Sequence, residues 1–151
     1  MNELKRELWV LLQREEGVVY NIYLDHLGYP TFGVGHLITR EDEEYGQPVG
    51  TPVSEERVMA VFREDLQEKI DATAGLLGDD WWNLPAVCQK ILVSMVFQMG
   101  RRGVGNFRNF LAAVRVHDWP TAADEMLDSR WARQTPARAN RHSNEIRALA
   151  A

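Results

Sequence analysis

Leu4, Leu8, Leu11 and Leu12 recur at the spacing of one helix face, and Gly17 follows where a C-cap belongs. The spacing predicts a first helix over 3–16 that ends on the adjacent acids Glu15 and Glu16. The pattern then changes character. Residues 18–24 are rich in β-branched and aromatic side chains, 25–28 have turn composition, and 31–38 resume an apolar run interrupted by Gly33 and Gly35. This reads as a hairpin with a third strand. Residues 40–52 carry charges, two glycines and two prolines and are expected to form a solvated loop or short turn. The acidic run 41–44 within it reads as a solvated face.

A long helix follows over 55–77. Ser54 is placed to cap it, Glu55 and Glu56 occupy its first turn, and Val53 is placed to staple onto Val58. Val58, Phe62, Leu66, Ile70 and Leu77 supply its apolar stripe. From 85 to 99 apolar residues occupy almost every face, which predicts a helix buried all round at the centre of a larger core. Gly100, Gly103 and Gly105 are expected to break the chain, after which 107–116, 120–127 and 136–148 read as three more helices. Thr135 is the expected N-cap of the last, with Pro136 at its first position. No repeat or low-complexity linker divides the chain. The order of elements predicts an α+β protein, mostly α, forming one domain over 1–151.

Composition removes several classes. A hydrophobic share of 45% with 26% charged residues excludes collagen, coiled coil and intrinsic disorder. Cys88, the one cysteine, lies in an apolar run and reads as a buried thiol, so the fold must hold without disulfides. No stretch approaches the ~20 apolar residues of a membrane span, and the opening segment has acids where a secretory signal should be apolar. Neither membrane insertion nor an export signal is expected. A net charge of −5 argues against nucleic acid as a partner, although the local basic segment 130–147 runs against the overall balance.

Chemistry concentrates where the first helix meets the hairpin. Glu16, Asp25 and Thr31 fall at a helix end, a hairpin turn and the returning strand, three places a compact unit can bring together. A glycosidase needs one carboxyl protonated, to donate to the leaving oxygen, and a second ionised, to activate water or stabilise the transition state. Acids near turns are also ordinary turn chemistry, and by spacing alone that bland reading has the advantage.

The segment EEGVVYNIYLDHLGYPTFGVGHLIT resembles the catalytic stretch of the phage-type lysozymes, the family of the T-even bacteriophage lysozyme, with its pattern E-x8-D-x5-T followed by G-x-G-H. Glu16, Asp25, Thr31 and the run Gly33, Val34, Gly35, His36 match it without a gap. MVFQMGRRGVGNF and SRWARQTPARANR also resemble that family, so the similarity spans nearly the whole chain. The resemblance implies a lysozyme-like fold: a small antiparallel sheet lobe over about 17–54, a linking helix over about 55–77, and a larger helical lobe over about 78–151 that takes in the N-terminal helix 3–16. A peptidoglycan-binding cleft is expected between the lobes.

By the same resemblance, Glu16 is the general acid, Asp25 the second carboxylate, and Thr31 the hydroxyl that helps hold the attacking water. Arg138 is expected to approach Glu16, and Gln98 to lie near the substrate. On a helical wheel Glu15 lies within the arc of Leu4, Leu8 and Leu11 while Glu16 sits at its edge, so desolvation alone favours Glu15. The motif assigns Glu16. His36 has a supporting role, either as a base near neutral pH or as a structural hydrogen-bonding residue. Met95, Met99, Phe107 and Trp131 read as core, and of the adjacent Trp81 and Trp82 one is expected to be exposed.

Three departures accompany the resemblance. The stretch between His36 and Ser54 is shorter than in the T-even lysozyme, the C-terminus stops early, and the chain is acidic where many lysozymes are basic. The implied activity is a metal-free, cofactor-free muramidase, a phage or prophage endolysin acting as a monomer. It would accumulate in the host cytoplasm and act on peptidoglycan once the membrane is opened. The competing readings are a lytic transglycosylase and a non-catalytic wall-binding or phage structural module.

Overall fold

Asn2 starts the chain's first helix by accepting the Lys5 N–H on its side chain at 2.9 Å. The computed structural model describes all residues, 1–151, and this helix, α1, runs Glu3–Glu16. Strands β1 (Val19–Leu24), β2 (Pro30–Gly33) and β3 (His36–Leu37) follow as an antiparallel sheet in that order. Helix α2 is Glu55–Leu77, a 3₁₀ turn spans Gly78–Asn83, and α3 is Ala86–Gly105. Then come α4 (Arg108–Arg115), α5 (Trp119–Leu127), α6 (Arg130–Gln134) and α7 (Pro136–Ala148). The α+β, mostly helical class expected of a lysozyme-like fold is the one observed.

The chain forms two compact units, Met1–Glu68 and Lys69–Ala151. In the first, the sheet, Val53 and the start of α2 share a small core of Ile22, Phe32, Val53, Val58 and Val61. Val53 and Val58 share this core, and Ser54 Oγ accepts the Arg57 N–H at 3.1 Å, as a cap and staple require. Trp9 of α1 meets Phe62 of α2 edge to face, with centroids 4.7 Å apart.

β1 is irregular where it matters. Val19 faces Gly33 and Tyr23 faces Thr31, so β1 takes four residue steps where β2 takes two. The extra backbone is satisfied on its other side by residues 50–53. Ile22 N–H donates to Thr51 at 2.9 Å, and Ile22 C=O accepts from Gly50 at 2.7 Å.

In the second unit, Ile91 to Val96 of α3 are all buried, as an all-round apolar helix predicts. α7 lies against α5, where Ser143 Oγ donates to the Ala123 carbonyl at 3.1 Å. Trp81 is buried and Trp82 is 79% exposed.

Several local expectations need correction. Gly100 alone breaks α3, with φ 79° and ψ 163°, a conformation open in practice only to glycine, while Gly103 and Gly105 stay helical. The stripe of α2 uses Thr73, fully buried, and Ile70 is only half-buried. Thr73 fits because its hydroxyl donates to the Lys69 carbonyl one turn back, at 2.7 Å. Thr135 occupies the N-cap of α7, but its side chain makes no cap bond. Its hydroxyl donates to the Trp131 carbonyl instead, at 3.0 Å. The acidic run 41–44 is not simply a solvated face, since Glu44 is 4% exposed and clasped by Arg57 at 2.9 and 3.0 Å. A cation on the first turn of α2 makes that burial tolerable.

Candidate active site at the helix–hairpin junction

Glu16 is the last residue of α1, and the turn out of the helix is made by Gly17 at φ 77° and ψ 168°. Gly17 N–H closes the helix on the Gln13 carbonyl at 3.0 Å, and β1 begins two residues on. Because α1 stays regular to its end, the helical wheel holds there: Glu15 is half-buried and Glu16 exposed.

β1 delivers Asp25 to the hairpin. Its backbone N–H donates to the Tyr29 carbonyl at 2.9 Å. Oδ1 of its carboxylate accepts the N–H groups of Leu27 at 2.9 Å and Tyr29 at 2.8 Å. Asp25 therefore builds the turn, as the bland reading holds, but with one oxygen only. Oδ2 takes no part in those bonds.

Thr31, on β2, is 3% exposed, and its hydroxyl donates to the Tyr29 carbonyl at 2.9 Å. With that proton committed, Oγ1 keeps lone pairs to accept from a donor. Thr31 and Asp25 Oδ2 thus present acceptors from the two arms of one hairpin.

Tyr23 links these groups, and sequence reasoning passed over it. It is the cross-strand partner of Thr31 and stands two residues before Asp25, which leads out of the strand into the turn. Burial pushes its phenol above the ordinary value, and the charges of Asp25 and then Glu16 push it further. Both carboxylates therefore act on one hydroxyl. Nothing in the sequence pattern singled out a tyrosine.

His36 begins β3 and is held from both sides. Its Nδ1 is 2.7 Å from Asp65 Oδ2 on α2, and its Nε2 is 2.9 Å from Asp42 Oδ2 in the following loop. Burial pulls its pKa down. The hydrogen bonds and charges of Asp65 and Asp42 more than offset this and raise it to about 8. At neutral pH the ring is a cation donating from both nitrogens, which removes the reading as a free base and leaves the structural one. Asp42 also accepts the Thr39 N–H at 2.8 Å.

The two remaining expected residues belong to the other unit. Gln98 Oε1 accepts the indole N–H of Trp131 at 2.7 Å, the partner a polar residue in an apolar helix must find. Arg138 is 6% exposed, and its guanidinium donates to Ser94 Oγ at 2.9 Å. Trp131 is buried, and its ring lies parallel to His142 with centroids 6.3 Å apart.

Residues 13–145 match the family described as phage lysozyme. The chain is 33% identical over 149 residues to the probable T4-type lysozyme 1 of Dictyostelium discoideum, covering 87% of this chain and 88% of that protein. It is 32% identical over 148 residues to the pre-baseplate central spike protein Gp5 of Enterobacteria phage T4, of whose length it spans only 26%. An endolysin of Salmonella phage P22 is 29% identical over 120 residues, covering 77% of this chain and 75% of the endolysin.

Proposed function

The chain belongs to the phage lysozyme family, and from that premise we propose that it is a cell-wall hydrolase cleaving the β-1,4 bond between N-acetylmuramic acid and N-acetylglucosamine. What supports this reading is the hairpin that pairs Tyr23 with Thr31 and leads into Asp25, together with the negative charges of Asp25 and Glu16 that help raise the Tyr23 phenol.

In this scheme Glu16 protonates the leaving oxygen as the glycosidic bond breaks. A water donates one hydrogen to Asp25 Oδ2 and the other to Thr31 Oγ1, so its lone pair is turned toward the anomeric carbon. Asp25, ionised, takes up the proton that this water loses on attack. Attack by a water held on the opposite face from the acid inverts the anomeric centre. Gln98 and Arg138 are supporting residues in this proposal, and His36 acts by holding β3, the 39–44 turns and α2 together.

The biological setting that fits is lysis of a bacterial host by a phage or prophage endolysin, which the likeness to the Salmonella phage endolysin supports. No helix is long and apolar enough to cross a membrane. In that role the protein would wait in the host cytoplasm until another protein opens the membrane. A second reading, a wall-contacting module of a phage particle, is favoured by the likeness to the spike protein.

Digestion of purified peptidoglycan followed by mass spectrometry tests the proposal. Fragments ending in reducing N-acetylmuramic acid are expected. Ends lighter by one water would be the 1,6-anhydro product of a transglycosylase, and binding without cleavage would mark a structural module.

A further inference from the structure

The hydrogen bond between Trp131 and Gln98 fixes more than a buried indole. An indole has a donor and no acceptor, so the Gln98 atom 2.7 Å from Trp131 Nε1 is the amide oxygen, and the amide nitrogen points the other way. That nitrogen donates to nothing in the protein and is not sealed from solvent. α3 is buried without interruption from Ile91 to Val96 and half-buried from Phe97 to Gly100, so Gln98 stands where the helix leaves the core.

The indole itself is mounted rigidly. Ser129 Oγ accepts the Ala132 N–H at 3.1 Å and donates to the Met126 carbonyl at 2.7 Å, which pins the start of α6. The Trp131 carbonyl accepts the Thr135 N–H at 2.9 Å and the Thr135 hydroxyl at 3.0 Å, which pins its end. The ring is buried, tilted against Phe107 at 6.2 Å between centroids and parallel to His142.

We propose that Trp131 is a positioning residue for substrate binding: it holds the Gln98 amide in one orientation, with the nitrogen presented as a donor to an amide carbonyl of the glycan strand. The proposal rests on the hydrolase reading above. Peptidoglycan offers that acceptor in two places, the N-acetyl groups of its sugars and the peptide bonds of its side chains. Without the indole N–H the two ends of the amide become interchangeable, and a substrate carbonyl would meet oxygen as readily as nitrogen.

Gln98→Glu separates the structural tie from the donor. A carboxylate still accepts the indole N–H but has no hydrogen to give, so Tm should hold while KM rises ~10-fold or more and kcat changes less. Trp131→Phe keeps an aromatic ring, removes the N–H and should raise KM by ~3- to 10-fold. Both losses pass through one amide, so the double variant should bind no worse than Gln98→Glu alone. Gln134→Glu, at an exposed position of α6, is the control for added charge and should leave KM unchanged. An unchanged KM in Gln98→Glu would overturn the donor role, and losses that multiply in the double variant would overturn positioning by Trp131.

A second measurement needs no cleavage. In ¹⁵N-labelled protein, the Gln98 side-chain amide signals should shift on addition of a disaccharide-peptide fragment of peptidoglycan, and the shift should shrink in Trp131→Phe. The same fragment without its peptide tells the two carbonyls apart: a shift that persists assigns the N-acetyl group, and one that vanishes assigns the peptide. Gln98 signals that stay still in a protein that cleaves peptidoglycan would overturn the proposal, whereas a wild type that shifts these signals without cleaving would overturn the hydrolase reading alone.

Discussion

Replacing His36 by Gln should make the stability of the first unit lose its alkaline sensitivity. The imidazole is only 16% exposed and bridges Asp42 and Asp65, so solvent screens the interaction little. Its pKa rises from 6.5 to about 8 in the fold. At 1.36 kcal/mol per pH unit this difference amounts to ~2 kcal/mol. Because the folded value is the higher one, the contribution is fully present below the unfolded value of 6.5 and is lost as pH rises through about 8. Asp42 behaves in the opposite sense. Burial pushes its carboxyl up, but the Thr39 amide, His36 and Arg57 outweigh that and hold it below the usual range. Its contribution is therefore present above the ordinary carboxylate value and lost as pH falls through the depressed one.

Denaturant unfolding of wild type and His36→Gln at about pH 6 and about pH 9 measures the difference directly. The stability gap between the two proteins should narrow by ~2 kcal/mol on going to the higher pH, or ~4–8 °C in Tm for a chain of this size. Effects of the substitution that do not depend on the charge of the ring are the same at both pH values and cancel from the comparison. Parallel curves, or an imidazole NMR titration with its midpoint near 6.5, would refute the reasoning.

Three further outcomes are expected. Proton NMR in the first minutes of digestion should show the α-anomer of the new reducing end; an initial β-anomer would recast Asp25 as a nucleophile. Gln98→Leu should cost ~1–3 kcal/mol by leaving the buried Trp131 indole N–H without its acceptor, and unchanged stability by calorimetry would contradict that role. Raising salt should change the lytic rate only modestly, since a net charge of −5 offers the wall no long-range attraction and screening acts mainly beyond a Debye length of ~8 Å at 0.15 M. A fall by orders of magnitude in a turbidity assay would point to the basic segment 130–147 as a binding face.

What was legible in the sequence was local and periodic. α1 is read from leucines at helical spacing closed by Gly17, α3 from apolar residues on every face, and the hairpin from β-branched runs around 25–28. α6 was not legible, because five residues are too few for a period, and its start rests on Ser129 Oγ accepting the Ala132 N–H at 3.1 Å. The spacing of Glu16, Asp25 and Thr31 was visible because a helix end, a turn and a return strand are neighbours in sequence. Tyr23 was hidden because nothing in the local pattern set one of the two tyrosines of β1 apart. The ties of His36 to Asp65 and of Arg57 to Glu44 join residues 29 and 13 positions apart, and no local pattern announces such a pair.

The choice between Glu15 and Glu16 sets burial against the motif. Glu15 is the more buried of the two, whereas Glu16 is the one whose charge reaches Tyr23. The decisive measurement is peptidoglycan lysis by Glu16→Gln and Glu15→Gln side by side, with circular dichroism and Tm recorded for both. The account predicts that Glu16→Gln keeps its fold and loses ~10²–10⁴-fold in rate, because an amide has the shape of the acid but no proton to give, while Glu15→Gln stays active. Full activity in Glu16→Gln with loss in Glu15→Gln would contradict it.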